Sequence, residues 1–209
     1  MTSDMSINAE GLTPEMRLQA GHYEVLGETY AAFELFENGW NPYSRFLDVD
    51  KVDFILRKLH ASKPIYREAQ VKFGKLYEVG SKWEKALFDV TSWRFFKPGE
   101  FAAYDDRKDF YLIYVLSAGN GSDREIFIFP IREFNHLIDL AITRASKKDG
   151  HKKAMYISRS KDDPARWFIR KVGGKMDKIT EENCIEVSRF RRAFHLLDSP
   201  ESKGKVRDS

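Results

Sequence analysis

The chain has 209 residues, of which 42% are hydrophobic and 14% aromatic, and a formal net charge of +3. This size and composition predict one globular domain, and no run of about 18 apolar residues suggests a membrane span. The polar N-terminus lacks the pattern of a signal peptide and Cys184 has no second cysteine to pair with, so we expect a cytoplasmic protein.

Charge is distributed unevenly along the chain. Residues 1–50 carry nine acidic side chains against two arginines, whereas residues 144–175 carry eleven basic side chains against three aspartates. A protein that binds a polyanion and also holds a divalent metal would need such an asymmetry. An ordinary solvated surface is the alternative explanation.

The first predicted element is a long helix from Pro14 to about Glu37. Thr13 is suited to the N-cap, and apolar side chains recur at helical spacing through the segment. Asn38-Gly39 follows in the manner of a left-handed C-cap.

Strands follow this helix. Residues 40–47 predict a first strand, residues 48–51 a tight polar connection, and the stretch from Val52 to Lys75 two adjacent strands. Side chains alternate between the faces of a strand, so the second strand has a polar face opposite an apolar one. The polar face holds Glu68, Gln70 and Lys72, and the apolar face holds Ala69, Val71 and Phe73.

The rest of the chain predicts further strands and two further helices. Residues 81–96 fit a strand or a short helix, with the strand favoured by their aromatic content. In order, we then expect a hairpin of strands at 110–116 and 125–129, a helix at 131–147, strands at 154–158 and 167–172, a turn at 173–174 and a helix at 180–197. Residues 1–13 and 198–209 are expected to be flexible, which leaves 14–197 as a single domain.

Four motifs follow one another along the chain. They are Gly27-Glu28 on the predicted helix, then Gly39-Trp40, then Asp53 on a strand and Gln70-Val71-Lys72 on the next strand. Their order resembles the PD-(D/E)XK nuclease superfamily, which includes type II restriction enzymes, archaeal Holliday-junction resolvases and Mrr-like nucleases. The Gln-x-Lys form is most similar to the resolvase and Mrr-like branch. The resemblance implies a restriction-endonuclease-like α/β fold, with a mixed central sheet flanked by helices on an α-β-β-β core.

The resemblance implies a Mg²⁺-dependent DNA endonuclease of restriction, mobile-element or repair type, with Mn²⁺ as a possible substitute and a homodimer as the active form. A hard cation takes oxygen ligands, so Asp53 would be the central ligand and the Gln70 side chain and Val71 carbonyl further donors. Lys72 would orient the attacking water or stabilise developing charge, and Glu28 would ligate a second metal or a metal-bound water.

Gln70 is neutral where many members of the superfamily carry Glu. Glu68, two residues earlier on the same face, is the acid expected to offset the missing charge, whereas Glu24 is expected to be a solvated helix carboxylate. Asp48 and Asp50 could compete with Asp53 but precede the apolar strand.

DNA phosphates are expected to contact the basic segment 144–197. The candidates are Lys147, Lys148, Lys152, Lys153, Arg159, Lys161, Arg166 and Arg170.

Two other functions compete with the nuclease hypothesis. The neutral Gln70 motivates a catalytically inactive nucleic-acid-binding or assembly module of the same fold, and an RNA nuclease would use the same site. Lys72 could also simply ion-pair on a half-exposed sheet. Other catalytic schemes are poorly supported, because the five histidines lack ligand-like spacing, Cys184 has no activating neighbour in sequence and no phosphate-binding Gly-rich loop precedes a Lys-Ser/Thr pair.

Overall fold

The computed structural model describes residues 14–44, 51–80, 82, 84–118, 124–146, 150–171 and 180–198. They form a mixed α/β fold, with a ten-stranded sheet in which every pairing is antiparallel except that of the third and fifth strands. The prediction of a mixed α/β fold is therefore confirmed. The helices are α1 (Pro14–Glu37), α2 (Ile131–Leu140) and α3 (His195–Asp198).

The strands are β1 (Asn41–Ser44), β2 (Phe54–His60), β3 (Lys63–Glu78), β4 (Phe88–Phe96), β5 (Phe110–Ala118), β6 (Arg124–Pro130), β7 (Ile142–Ser146), β8 (Gly150–Ser160), β9 (Trp167–Arg170) and β10 (Cys184–Glu186). Short 3₁₀ turns lie at Glu84–Ala86, Ala102–Tyr104, Glu181–Asn183 and Ser188–Phe190.

Helix α1 ends as its sequence predicts. Gly39 has a φ of +79°, the left-handed conformation that glycine adopts at low cost after a helix. The backbone N–H of Trp40 donates to the carbonyl of Leu35 at 2.9 Å, so the chain turns directly into β1. Both side chains are buried against the sheet.

The long strand β3 connects two parts of the sheet. Its first part pairs with β2, its middle runs parallel to β5, and only Tyr77 and Glu78 at its end pair with β4. The order then continues from β4 to β8, β9 and β10. The two adjacent strands predicted between Val52 and Lys75 are confirmed as the antiparallel pair β2 and β3. The predicted hairpin of β5 with β6 is also confirmed, although residues 119–123 lie outside the described part of the chain.

Two apolar layers cover opposite faces of the central strands. One buries alternate side chains of β3 and β5 against α1, including Ala31, Leu35 and Val71. The other packs the opposite face of β5 and β6 against α2 and the inner face of β8 and β9, including Leu112 and Ile157. Burial on both faces explains why β5 is a continuous apolar run.

The predicted helix at residues 131–147 is too long. Helix α2 buries its apolar side chains only as far as Ile138, and Ala141 is already extended. The next residues form β7, which pairs antiparallel with β8. Ile142 and Thr143 are β-branched and favour a strand where a partner edge is available, so tertiary pairing replaces the helix.

The predicted helix at residues 180–197 is wrong. Residues Cys184–Glu186 form β10 on the edge of β9, and the N–H of Val187 donates to the carbonyl of Trp167 at 2.7 Å. Ile185 and Val187 alternate with Glu186, a period that suits an edge strand better than a helix. Within this segment, only His195–Asp198 form an α-helix, besides the two short 3₁₀ turns.

The remaining predictions have mixed outcomes. The strand favoured for residues 81–96 is confirmed from Phe88 onward, after a 3₁₀ turn at Glu84–Ala86. The predicted strand at 167–172 is confirmed as far as Arg170, whereas the turn at 173–174 lies outside the described residues. The predicted flexible ends 1–13 and 198–209 also lie outside them, except for Asp198, which is the last residue of α3. In the described part of the chain, no helix is long and apolar enough to cross a membrane.

Candidate active site

The candidate site lies where β3 leaves part of one edge without a neighbouring strand. Pairing with β2 stops at Phe54 opposite Ala69, and pairing with β4 begins only at Tyr77. In this gap the N–H of Asp53 donates to the carbonyl of Ala69 at 2.9 Å. The Asp53 side chain then replaces the missing strand, because its Oδ2 accepts a 2.6 Å hydrogen bond from the N–H of Val71.

A cleft of about 350 Å³ opens at this gap. It brings together most of the residues predicted for the site, namely Glu28, Asp53, Gln70, Val71 and Lys72. The other residues that line it are Glu24, Lys51, Phe73, Arg94 and Glu100.

Gln70 occupies the deepest position of the predicted polar face. Its side chain is only 5% exposed, and its Oε1 has no hydrogen-bond partner among the described residues. A buried carbonyl oxygen without a partner costs about 1–3 kcal/mol of stability. An oxygen held in this way is suited to a ligand that enters the cleft.

The Lys72 ammonium is in an environment that disfavours its charge. Burial lowers the pKa of Lys72 below its ordinary 10.5, and the neighbouring Arg94 lowers this pKa further. Asp53, Glu100 and Glu24 partly offset the effect. Lys72 is therefore a cation beside carboxylates that gives up its proton more readily than an exposed lysine does.

Helix α1 supplies two carboxylates because it packs unusually close to β3. A Cβ atom built on Gly27 would lie 3.0 Å from the Cβ of Phe73, closer than ordinary contact, so a side chain there would require Phe73 to shift. One turn earlier, the ring of Tyr23 stacks on Phe73 at 5.2 Å. This contact puts Glu28, as predicted, and also Glu24 on the wall of the cleft.

Sequence reasoning missed three charged residues of the cleft. Lys51 has a φ of +52° and donates through Nζ to the carbonyl of Glu100 at 3.1 Å. Arg94, on β4, donates to the carbonyl of Phe73 at 3.0 Å and so holds the open edge of β3. The third is Glu100, which with Arg94 lies more than twenty residues after Lys72, so no local pattern connects either residue to the motif. Lys51 is only two residues before Asp53, but it was assigned to the polar connection at residues 48–51.

Glu68 is not brought to the cleft. Its carboxylate pairs with Arg107 at 3.0 Å, and Arg107 also pairs with Asp109 at 2.8 Å. The prediction that Glu68 supplies the negative charge that Gln70 lacks is therefore wrong, because Arg107 holds the Glu68 carboxylate away from the cleft. Glu24 and Glu100, which do line the cleft, provide acidic side chains there instead. Asp48 and Asp50 lie outside the described residues.

Three of the eight predicted basic residues are neutralised by internal ion pairs. Arg159 makes a bidentate contact with Asp89, Arg166 pairs with Glu186, and Arg170, only 1% exposed, pairs with Glu84. Desolvation lowers the pKa of the Arg170 guanidinium to about 10. These arginines stabilise the far part of the sheet, because opposite charges within it are matched.

The lysines predicted to contact DNA differ in their exposure and in their hydrogen bonds. Lys153 donates to the carbonyl of Asp139 at 2.8 Å, Lys152 is half-buried and Lys161 is exposed. Lys147 and Lys148 lie outside the described residues. A continuous phosphate-binding surface formed by all eight predicted residues is therefore not what the described part shows.

The cleft offers the oxygen ligands that a hard divalent cation prefers, but few of them are negatively charged. Among the described residues, no group of three or more His, Cys, Asp or Glu side chains is arranged to hold a metal ion. Oxygen donors of other kinds are present, since the buried Gln70 Oε1 and the Asp53 carboxylate line one cleft. Mg²⁺ needs only one or two carboxylates because it retains several waters.

Comparison of the chain with models of known protein families, with curated proteins and with solved structures gave no match.

Proposed function

We propose that this protein is a divalent-metal-dependent DNA endonuclease with a restriction-endonuclease-like core formed by α1, β2, β3 and β5. The observation that carries the proposal is the cleft at the open edge of β3. There, an anchored Asp53, the partnerless Oε1 of Gln70 and a desolvated Lys72 lie together. This combination matches the needs of phosphodiester hydrolysis.

Each side chain has a distinct role in the proposed reaction. Asp53, Gln70 Oε1 and the Val71 carbonyl would hold Mg²⁺, with Mn²⁺ as a substitute. The cation, when bound, supplies Lewis-acid stabilisation of charge on the scissile phosphate and a water of lowered pKa.

The neighbouring groups complete the site. The Lys72 ammonium orients the attacking water and donates a hydrogen bond to the phosphoryl oxygen that gains charge in the transition state. Arg94 faces the same space and attracts the phosphate. Glu28 and Glu24 on α1 can each accept a proton or a hydrogen bond from a water in the cleft.

A catalytically inactive nucleic-acid-binding module is the second candidate. It is favoured by the neutral Gln70 and by the lack, among the described residues, of a cluster of three acidic or imidazole ligands. A site with fewer negative charges binds cations more weakly. Binding of DNA alone does not separate the two candidates, whereas turnover does.

Cleavage assays test the proposal. Supercoiled plasmid, branched DNA and RNA are incubated with the protein in Mg²⁺ or Mn²⁺, using wild type, Asp53→Ala and Lys72→Ala. We expect metal-dependent DNA cleavage by the wild type and a loss of at least about a hundredfold in each variant. Cleavage that survived both substitutions would remove the site assignment. A wild type that binds DNA but neither cleaves nor binds metal would favour the inactive module.

Homodimerisation stays a prediction of this proposal, because cutting both strands of a duplex calls for two active centres. Analytical ultracentrifugation of the protein with and without DNA measures it. A monomer that cuts both strands in one encounter would contradict it.

A further inference from the structure

A second feature of the molecule lies on the outer face of the sheet, beyond the part that α1 covers. Cross-strand pairing places Tyr77 opposite Thr91, and Trp93 opposite Tyr156. Alternation along each strand puts their neighbours on the same side. We call this surface the aromatic face, formed by Lys75, Tyr77, Thr91, Trp93, Phe95, Lys152, Ala154 and Tyr156.

Large aromatic side chains on this face are open to solvent. Trp93 is 48% exposed, Phe95 40% and Tyr77 44%. The rings of Trp93 and Phe95 meet edge to face at 5.3 Å, which fixes both without covering them. Several exposed aromatic rings on one flat sheet face are unusual for a surface without a partner.

The charge of the aromatic face is of one sign. Its charged members are lysines: Lys75 has its Nζ 5.6 Å from the centre of the Tyr77 ring, and Lys152 lies on β8 two residues before Ala154. No Asp or Glu belongs to the eight positions that define the face. The Arg170 guanidinium lies 4.6 Å from the centre of the Tyr156 ring, but it is buried and paired with Glu84, so the two lysines carry the charge of the face. The face therefore complements a polyanion that also carries flat apolar groups.

We infer that the aromatic face binds single-stranded DNA by stacking bases on Trp93, Phe95 and Tyr77, with Lys75 and Lys152 contacting phosphates. Exposed rings interleaved with lysines on a sheet are the chemistry by which single strands are held without sequence preference. A duplex offers its bases only in grooves, so it cannot stack on this face.

The aromatic face and the cleft share the strands β3 and β4. Strand β3 carries Lys72 in the cleft and Tyr77 on the face, five residues or about 17 Å apart along the strand. Arg94, which lines the cleft, lies between Trp93 and Phe95 on β4, and like Lys72 it points to the opposite side of its strand from the aromatic rings. On the proposed nuclease function, the substrate is DNA with an unpaired segment that crosses the open edge of β3 between the aromatic face and the cleft.

Fluorescence anisotropy with a labelled 20-nucleotide oligo(dT) tests the inference, in EDTA so that no metal chemistry is involved. We expect Trp93→Ala and Phe95→Ala each to weaken binding by about tenfold, the effect of losing one stacked base. Trp93→Phe keeps a ring and should retain most of the affinity. Lys75→Ala should lower the slope of log affinity against log salt by about 0.7.

Tyr66→Ala is the matched control, because Tyr66 is equally exposed on β3 but lies at its other end. It should bind oligo(dT) like the wild type, and all variants should keep the wild-type thermal midpoint. Equal affinity of wild type and a Trp93→Ala/Phe95→Ala variant would overturn the inference. Binding of RNA but not of oligo(dT) by the wild type would also overturn it. A wild type that is a dimer and does not bind oligo(dT), and that the double variant converts to a monomer, would overturn it as well, because the face would then be a dimer interface.

The two proposals fail in distinguishable ways. Oligo(dT) binding by Lys72→Ala at wild-type affinity, with no cleavage by any form of the protein, would remove the nuclease function and leave the face. Metal-dependent cleavage without oligo(dT) binding would remove the face and leave the nuclease.

Discussion

The Asp53 carboxylate occupies the place of a missing strand, accepting a 2.6 Å hydrogen bond from the backbone N–H of Val71. One side-chain oxygen thus ends the pairing of β2 with β3 and satisfies a strand edge that faces the cleft. The same carboxylate is the proposed ligand of the cation. Structure and chemistry therefore make separate demands on Asp53, and substitutions can separate them.

Asp53→Ala removes both the hydrogen bond and the charge, whereas Asp53→Asn keeps an oxygen that can accept from Val71. Hydrogen bonds to charged groups contribute about 1.5–3 kcal/mol. We expect Asp53→Ala to lower the free energy of unfolding by roughly this amount and Asp53→Asn by clearly less, measured by urea denaturation. Equal losses in the two variants would show that the hydrogen bond does not anchor the strand edge.

Gln70 can be changed in two opposite directions. Gln70→Leu removes a buried oxygen that has no partner, so the stability of the metal-free protein should be unchanged or higher while cation binding is lost. Gln70→Glu buries a carboxylate, so the metal-free protein should melt at a lower temperature.

Addition of Mg²⁺ should restore the melting temperature of Gln70→Glu. The cation should bind this variant about tenfold more tightly than the wild type, because the ligands carry more negative charge. Thermal melts at increasing Mg²⁺ concentration measure both effects. A Gln70→Glu variant that melts at the same temperature with and without Mg²⁺ would contradict the assignment of Gln70 as a ligand.

Lys72 predicts a dependence of stability on pH. Its pKa in the folded state is lowered, chiefly by burial, from the ordinary 10.5. Below the folded pKa both states carry the proton, and the folded state bears the full penalty of a buried charge. Between the folded pKa and 10.5 the unfolded state binds more protons, so this penalty is relieved as pH rises.

Lys72→Met should therefore be more stable than the wild type at pH 7, and the difference should shrink as the pH approaches 10.5. Thermal midpoints across this pH range measure it, with Lys161→Met at an exposed position as the control expected to change little. A Lys72→Met variant that is less stable at pH 7 would mean that the pairing of Lys72 with Asp53 outweighs its desolvation.

Two glycines of α1 form a matched pair. Nothing lies within 4 Å of a Cβ atom on Gly21, so Gly21→Ala should stabilise the protein by about 0.5–1 kcal/mol through helix propensity. On Gly27 the same atom would meet the Cβ of Phe73 at 3.0 Å. Gly27→Ala should lower stability by about 1–3 kcal/mol and reduce cleavage, because Glu24 and Glu28 are pushed away from β3.

Chemical denaturation and the plasmid assay measure both effects of the glycine substitutions. A Gly27→Ala protein with wild-type stability and activity would show that the close approach of α1 does not position the cleft.

Local patterns in the sequence were sufficient for the elements that form the site. The helix ending before Gly39, the paired strands around Asp53 and Gln70, and the hairpin of β5 with β6 all have strong local signals. The open edge of β3 could not be read in the same way. It arises because β4 pairs with β3 only at its end, a consequence of tertiary pairing.

The later part of the chain was harder to predict for a related reason. Segments such as 142–146 and 184–186 have patterns compatible with either a helix or a strand. A neighbouring strand with an open edge makes them strands. Whether the arginines predicted to contact DNA are free or paired likewise depends on residues distant in sequence. Asp89 lies 70 residues from Arg159 and Glu84 lies 86 residues from Arg170, so no local pattern reveals that these charges are paired.

Cation binding by the cleft is the most direct test of the central claim. Isothermal titration with Mn²⁺ compares the wild type, Asp53→Asn and the control Asp162→Asn, which removes an exposed carboxylate between β8 and β9. We predict that wild type and Asp162→Asn bind Mn²⁺ with the same stoichiometry and affinity, and that Asp53→Asn loses this binding. Undiminished Mn²⁺ binding by Asp53→Asn would contradict the claim that this cleft is a metal site.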